Sequence, residues 1–132
     1  MTPADISATL LARYFELLDE RRIEELVLLF APDGVMITRG GTDGQAIAGH
    51  GQLRDYYAGR GPSAVRHAIT AASQSERGCF AEGLVKPRDG HGETKFFLAS
   101  ASLDDQRRIT RYTTLVWPGL TADQALTLTG RT

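Results

Sequence analysis

Between Leu11 and Thr38 the chain reads LARYFELLDERRIEELVLLFAPDGVMIT, and no other stretch restricts the fold as much. Ile6, Leu10, Leu11, Tyr14, Leu17 and Leu18 recur at helical spacing, so one face of a first helix is buried. Thr2 and Asp5 form a capping box ahead of it, with Pro3 at the tolerated first position. Asp19-Glu20-Arg21-Arg22 is polar and marks a bend. A second stripe, Ile23, Leu26, Val27 and Phe30, stops at Pro32. Asp33-Gly34 then turns the chain into a short strand, Val35 to Thr38.

The Gly-rich segment from Gly40 to Gly51 is expected to be a loop holding one short strand, Ala46 to Ala48. It lacks the spaced glycines and lysine of a phosphate-binding loop. Gln52 to Ala58 follows as a third helix carrying Tyr56 and Tyr57. From Val65 the hydrophobic period changes to two. Val65 to Gln74, Cys79 to Pro87, Glu93 to Leu103 and Arg107 to Trp117 read as four long strands. Their separators are short enough to force antiparallel pairing. Helices followed by a strand meander give an α+β domain, helices on one face of the sheet. The domain is expected over residues 1–119, with 120–132 as a C-terminal tail.

The chain has 132 residues and a net charge of −1, which suits a single domain and shows no overall nucleic-acid or anionic-membrane footprint. No apolar run approaches a membrane span, and the N-terminus lacks a signal-peptide pattern, so the expectation is a cytoplasmic protein. A lone cysteine, Cys79, has no disulfide partner and reads as a small core residue. Three histidines without metal-ligand spacing argue for no metal, and no cofactor is implied. His50 and His91 lie in Gly-rich loops and read as solvated. Phe96, Leu98, Tyr112 and Val116 alternate with Phe97, Ala99, Leu115 and Trp117, so both sheet faces are apolar. One face needs a second cover, which predicts a homodimer through the sheet.

Element order and local sequence together resemble the SnoaL-like group of the nuclear-transport-factor-two-like superfamily. Its relatives include ketosteroid isomerase, scytalone dehydratase and bile-acid dehydratase. The marks are ARYFELLD, LVLLFAPDGVMIT, LRDYYAG, RHAIT and RRITRYTTLVW, in order from Ile6 to Trp117. The resemblance implies a cone-shaped, strongly curved, mostly antiparallel sheet with three helices on its concave face, a cystatin-like α+β roll. It also implies one pocket inside the cone, lined by residues such as Met36 and Phe97. The superfold hosts isomerases, dehydratases, cyclases, hydrolases and binders, so activity must be read from the site.

Tyr14 lies on the buried stripe. It is either a donor to a substrate oxyanion or a core tyrosine with a satisfied hydroxyl. The resemblance implies the former, with Tyr57 as a second pocket tyrosine. The carboxylate base and second acid of ketosteroid isomerase fall on Thr38 and near Ala99, neither of which can move a proton. The dehydratase branch instead implies a catalytic set of His67, Tyr14 and Asp19. The imidazole of His67 would act as base, and its strand phase matches Val65, Ile69 and Ala71. A backbone-satisfied histidine is the plainer alternative. Asp19 lies about 140° round the helix from Tyr14, so only unwinding at the helix end is expected to bring it inward.

Glu82, between Phe80 and Leu84, and Arg111, between Ile109 and Thr113, fall on strand positions expected inside the cone. They would pair with each other or face a ligand, the alternative being solvent or a dimer interface. The leading expectation is a cofactor-independent lyase or isomerase acting next to the carbonyl of an apolar small molecule. A non-catalytic ligand-binding or dimerisation module is the alternative, and an epoxide hydrolase the third.

Overall fold

A computed structural model describes residues 2–38, 45–61 and 63–120. Four helical segments precede or interleave with six strands: α1 Pro3–Ser7, α2 Leu10–Asp19, α3 Ile23–Val27, β1 Phe30–Thr38, β2 Gln45–Ala48, α4 Gly49–Gly59, β3 Val65–Gln74, β4 Gly78–Pro87, β5 Thr94–Leu103 and β6 Ile109–Leu120. They form one curved sheet in the order β2-β1-β6-β5-β4-β3. Only β1 and β6 pair in parallel, and every other neighbour pair is antiparallel. The α+β cone expected from the sequence is therefore the fold.

The expected first helix is two. Thr9 breaks it, its hydroxyl donating to the Ile6 carbonyl at 2.7 Å while accepting from the Ala12 amide at 3.3 Å. A β-branched hydroxyl residue ends one helix and caps the next, so α1 and α2 need not be collinear. The Thr2–Asp5 capping box is present on α1. The second expected helix stops early, at Val27, because Phe30 already pairs with Ile109 of β6. The Ala-Pro-Asp-Gly run lies inside β1, where the pairing register shifts between Phe30 and Val35. Gly34 is required there, since a Cβ would meet the Ile109 carbonyl at 2.6 Å.

Three further register shifts bend the sheet, the first where Thr94 and Phe96 oppose Leu120 and Trp117 at the end of β6. On β3, Ile69 and Ala71 oppose the consecutive residues Gly83 and Glu82, leaving Thr70 as a bulge. Gly83 lies tight beneath it, where any Cβ would collide with the Ala68 carbonyl. On β6, Ile109 and Arg111 oppose Leu103 and Ser102, a bulge at Thr110. Bulges increase local twist and reverse the side-chain phase, which is how a meander closes into a cone.

The concave face is filled from α2, α3 and α4. Leu11, Phe15 and Leu17 of α2, Leu26 and Val27 of α3, and Leu53 of α4 are all buried against Phe30, Phe97, Ala99, Ala101 and Ile109. Each fully buried large side chain contributes roughly 1.5–3 kcal/mol, so this layer supplies the main stabilisation. Cys79 is buried in the same core, and burial pushes its thiol pKa up. The expected tail 120–132 lies, beyond Leu120, outside the described residues. Among the described residues no helix is long and apolar enough to cross a membrane.

Candidate active site

The concave interior holds two polar constellations separated by one aromatic ring. The first is a tyrosine cluster. The hydroxyls of Tyr14 and Tyr57 lie 2.7 Å apart, and Tyr57 also reaches Sδ of Met36 at 3.1 Å. The Tyr112 ring lies 4.4 Å from that of Tyr14, and the Tyr112 hydroxyl accepts from Thr114. All three phenols are buried, and burial before anything else pushes their pKa values well above the usual range. They stay protonated at any physiological pH, and with the Tyr57 proton directed at Met36 it is Tyr14 that donates to Tyr57.

The second constellation is a dyad. Nδ1 of His67 lies 2.7 Å from Oδ1 of Asp19, and the His67 backbone amide donates to Oδ2 at 2.8 Å. Their side chains are 12% and 15% exposed, so the pair sits at a rim rather than in bulk water. An ionised Asp19 holds the proton on Nδ1 and leaves the Nε2 lone pair free, and Nε2 has no partner among the described residues. The Phe15 ring lies 4.5 Å from that of His67, tilted by 31°, and Phe97 lies edge-on at 5.4 Å. Phe15 also touches Tyr14 at 5.1 Å, so its ring stands between the two constellations.

Asp19 reaches the site without unwinding. It is the last residue of α2 and lies four residues after Phe15, on the same helix face one turn on. The helix then stops because Arg21 adopts φ of +59°, and the Arg21 guanidinium donates to the Tyr57 carbonyl at 3.0 Å. Arg88 completes the fastening. Its guanidinium donates to the carbonyls of Asp19 and Ser63, tying the end of α2 to the start of β3.

Several expected members lie elsewhere. Glu82 is on the convex face, in a groove of about 520 Å³ with Phe80, Leu98 and Leu115. Residues facing inward from β4 are the small Cys79 and Ala81, with Val85, because helices press close there, and the larger Phe80 and Leu84 point outward. Size is therefore a misleading guide to the inner face. Arg111 is also outside, donating to Ser102 at 3.0 Å, because the bulge at Thr110 takes it out of phase with Ile109. No Glu82–Arg111 pair forms. The Thr70 bulge likewise sends Ala71 to the convex face while His67 and Ile69 stay inside. His50 is not solvated: its Nε2 lies 2.8 Å from the Phe30 carbonyl at the start of α4. Thr38 bonds to the Gln45 carbonyl, and Ala99 is buried in the core. Among the described residues, no cluster of three His, Cys, Asp or Glu could hold a metal.

Tyr112 and Arg88 are members that the sequence does not announce. Tyr112 shows there only as a strand aromatic, and Arg88 lies in a separator whose reach nothing in the local pattern reveals.

A profile of the SnoaL-like domain matches residues 11–112. The chain belongs to the SnoaL-like family. A search of curated proteins returns no match. Solved structures share the SnoaL-like cone. One is a protein from Sphaerobacter thermophilus, at 19% identity and TM-score 0.64, covering 80% of this chain and 91% of that one. Another is SalBIII, an epoxide hydrolase/cyclase-like enzyme of pyran ring formation in salinomycin, at 12% identity and TM-score 0.65, covering 91% and 95%. A third, provisionally described as a ketosteroid isomerase from Kribbella flavida, has 19% identity and TM-score 0.65 over 84% and 78%. Identities this low speak for the fold alone.

Proposed function

We propose that this SnoaL-like domain is a cofactor-independent enzyme that removes a proton next to a carbonyl of an apolar small molecule, leading to dehydration, isomerisation or ring closure. The observation that carries the reading is the Asp19–His67 dyad at the rim of the cone. Nε2 of His67 takes the substrate proton, and Asp19 fixes the tautomer and stabilises the imidazolium that forms. Returning that proton to a leaving hydroxyl completes a dehydration, and returning it to carbon completes an isomerisation. Tyr14, backed by Tyr57, is the oxyanion donor: its phenol stays neutral and carries a strong hydrogen bond in a dry site. Met36, Phe15 and Phe97 are buried in the packed interior, so the substrate body must part this packing to lie against them. Neither Glu82 nor Arg111 belongs to this set.

A binding-only reading is favoured by one observation. Tyr14, Tyr57, Tyr112 and Met36 pack against one another at the centre of the cone, so a ligand must part them to reach Tyr14. Mass spectrometry of the ligand carried through purification, followed by turnover assays of wild type and His67→Ala, separates the two. The enzyme reading requires turnover that His67→Ala abolishes while its circular dichroism is unchanged. Retained turnover in the variant removes His67 from the chemistry.

The proposed assembly is a homodimer through the convex sheet face. Phe80, Leu98, Leu115 and Trp117 are each at least 40% exposed there. Phe80, Leu98 and Leu115 line one groove there, and with Trp117 on the same face they form a patch that a second copy would cover. The buried, unpaired Cys79 is compatible with a reducing cytoplasm.

A further inference from the structure

The cationic side chains are distributed unevenly. Arg13, Arg22, Arg54, Arg77 and Arg108 each contact a carboxylate. Arg21, Arg60, Arg66, Lys86, Arg88 and Lys95 contact none among the described residues. These six gather at one end of the fold, where α2 and α4 finish, β3 begins, β4 ends and β5 begins. Arg107 and Arg111, also without a carboxylate, lie away from it at the β5–β6 turn and on the convex face. Arg66 and Lys86 stand directly opposite each other in the β3–β4 ladder, an arrangement that opposes folding. Among the described residues the acids at this end are Asp19, engaged with His67, Glu20, paired with Arg22, Asp55 of α4, and the turn residues Asp89 and Glu93, the last four exposed.

Arg21, Arg60 and Arg88 have local partners: the Tyr57 carbonyl, the Tyr56 hydroxyl, and the Asp19 and Ser63 carbonyls. Their charge is nevertheless not neutralised, because a carbonyl or phenol carries none. Lys95 differs. Strand alternation with Phe97 places it on the concave face, half-buried, with no hydrogen-bond partner among the described residues. It stands in one row with the dyad: His67 pairs with Val85, and Val85 with Lys95. Two strand spacings put the backbones of His67 and Lys95 about 10 Å apart. A long cation facing into an apolar cone, beside the base and within the field of other unneutralised cations, is placed to receive an anion.

We propose that the ligand of this cone is an organic anion, with its apolar body against Phe15 and Phe97 and its carboxylate or phosphate at Lys95. The inference rests on the cone being the ligand site and adds the substrate's charge class. Lys95 is then a substrate-binding residue, and the surrounding arginines raise the local concentration of anionic ligand. The inward position of Lys95 favours a small ligand over an acidic macromolecule, which would engage the convex Arg66 and Lys86 instead.

Titration of the full chain by NMR at low salt with 2-naphthylacetate, 2-naphthyl phosphate and the neutral 2-naphthylacetamide tests this. At least one anion is expected to bind about tenfold or more tightly than the amide, with shifts concentrated at residues 65–69, 84–88 and 94–97. The carboxylate and phosphate arms identify which anion the site prefers. Lys95→Gln should erase most of the preference, while Lys86→Gln, equal in charge but on the other face, should leave it intact. His67→Asn should also keep it, so loss of turnover there with the anion preference retained separates this inference from the catalytic one. Equal binding of amide and anions, failure of both anions to bind in the millimolar range, or a preference that survives Lys95→Gln overturns the proposal. An oligonucleotide that binds through Arg66 and Lys86 while the naphthyl anions do not overturns it as well.

Discussion

The carboxylate of Asp19 grips His67 twice, through Nδ1 at 2.7 Å and through the backbone amide at 2.8 Å. One acid therefore fixes both the ring and the strand that carries it. Removing that acid has a consequence for the tautomer. Asn in its place can offer an amide N–H to Nδ1, which moves the imidazole proton to Nε2 and blocks proton acceptance. Asp19→Asn is expected to reduce turnover by between about tenfold and about 10⁴-fold, with a smaller change in KM than in kcat. Long-range proton–nitrogen NMR of the imidazole should show the proton on Nδ1 in wild type and on Nε2 in the variant.

The buried phenols predict an alkaline limit on stability. Tyr14, Tyr57 and Tyr112 all have pKa values raised in the folded state, whereas in the unfolded chain each titrates near 10. Their contribution is complete below about pH 10 and is lost as pH rises further, by up to about 1.4 kcal/mol per pH unit for each tyrosine. Urea unfolding between about pH 9 and about pH 11 should reveal this slope. Tyr14→Phe should make it shallower, while lowering stability at neutral pH by roughly 1–3 kcal/mol because the Tyr57 hydroxyl loses its oxygen partner.

Gly83 is predicted to be intolerant of any side chain. Its Cα lies beneath the Thr70 bulge, where a Cβ collides with the Ala68 carbonyl rather than with a movable side chain. Gly83→Ala should cost roughly 1–3 kcal/mol, read as a lower urea midpoint. Gly51 is the control, because a Cβ there would meet no atom within 4 Å. Gly51→Ala in α4 should be neutral or slightly stabilising.

The convex face predicts association. Leu98 and Leu115 are cross-strand partners on that face, and Leu98→Asp places a charge at its centre. Sedimentation of wild type should give twice the chain mass, and the variant a monomer with unchanged circular dichroism. A wild-type monomer at micromolar concentration contradicts the proposed assembly.

Much of the architecture is legible in the sequence because the period of hydrophobicity is local. The β3 span Val65–Gln74 agrees with its sequence reading, and β4 and β5 agree to within a residue at each end. The bulges at Thr70 and Thr110 are not legible, because Thr-Ala and Thr-Arg carry no bulge signature and the extra residue is set by the partner strand. Those two residues explain why simple alternation puts Ala71 and Arg111 on the wrong face. Glu82 has a different cause: a curved sheet pressed by helices takes small residues inward and large ones outward, reversing the ordinary size rule. The helical angle that sets Asp19 apart is measured from Tyr14, but its neighbour on the helix surface is Phe15, and it is Phe15 that lies over His67. Arg88 joins Asp19 across 69 residues of sequence, a relation that only the folded chain displays.

The central claim is that Nε2 of His67 takes a proton from carbon next to a carbonyl. Deuterium exchange tests that step without knowledge of the product. The ligand carried through purification, or a ketone shown by NMR to bind the cone, is incubated with the protein in deuterium oxide and its α-proton signal followed. Wild type should wash deuterium into the α position, and His67→Asn should slow that exchange by about 10²–10⁴-fold while still binding the ligand. Exchange at the same rate in both proteins, or none in wild type with the ligand bound, contradicts the claim.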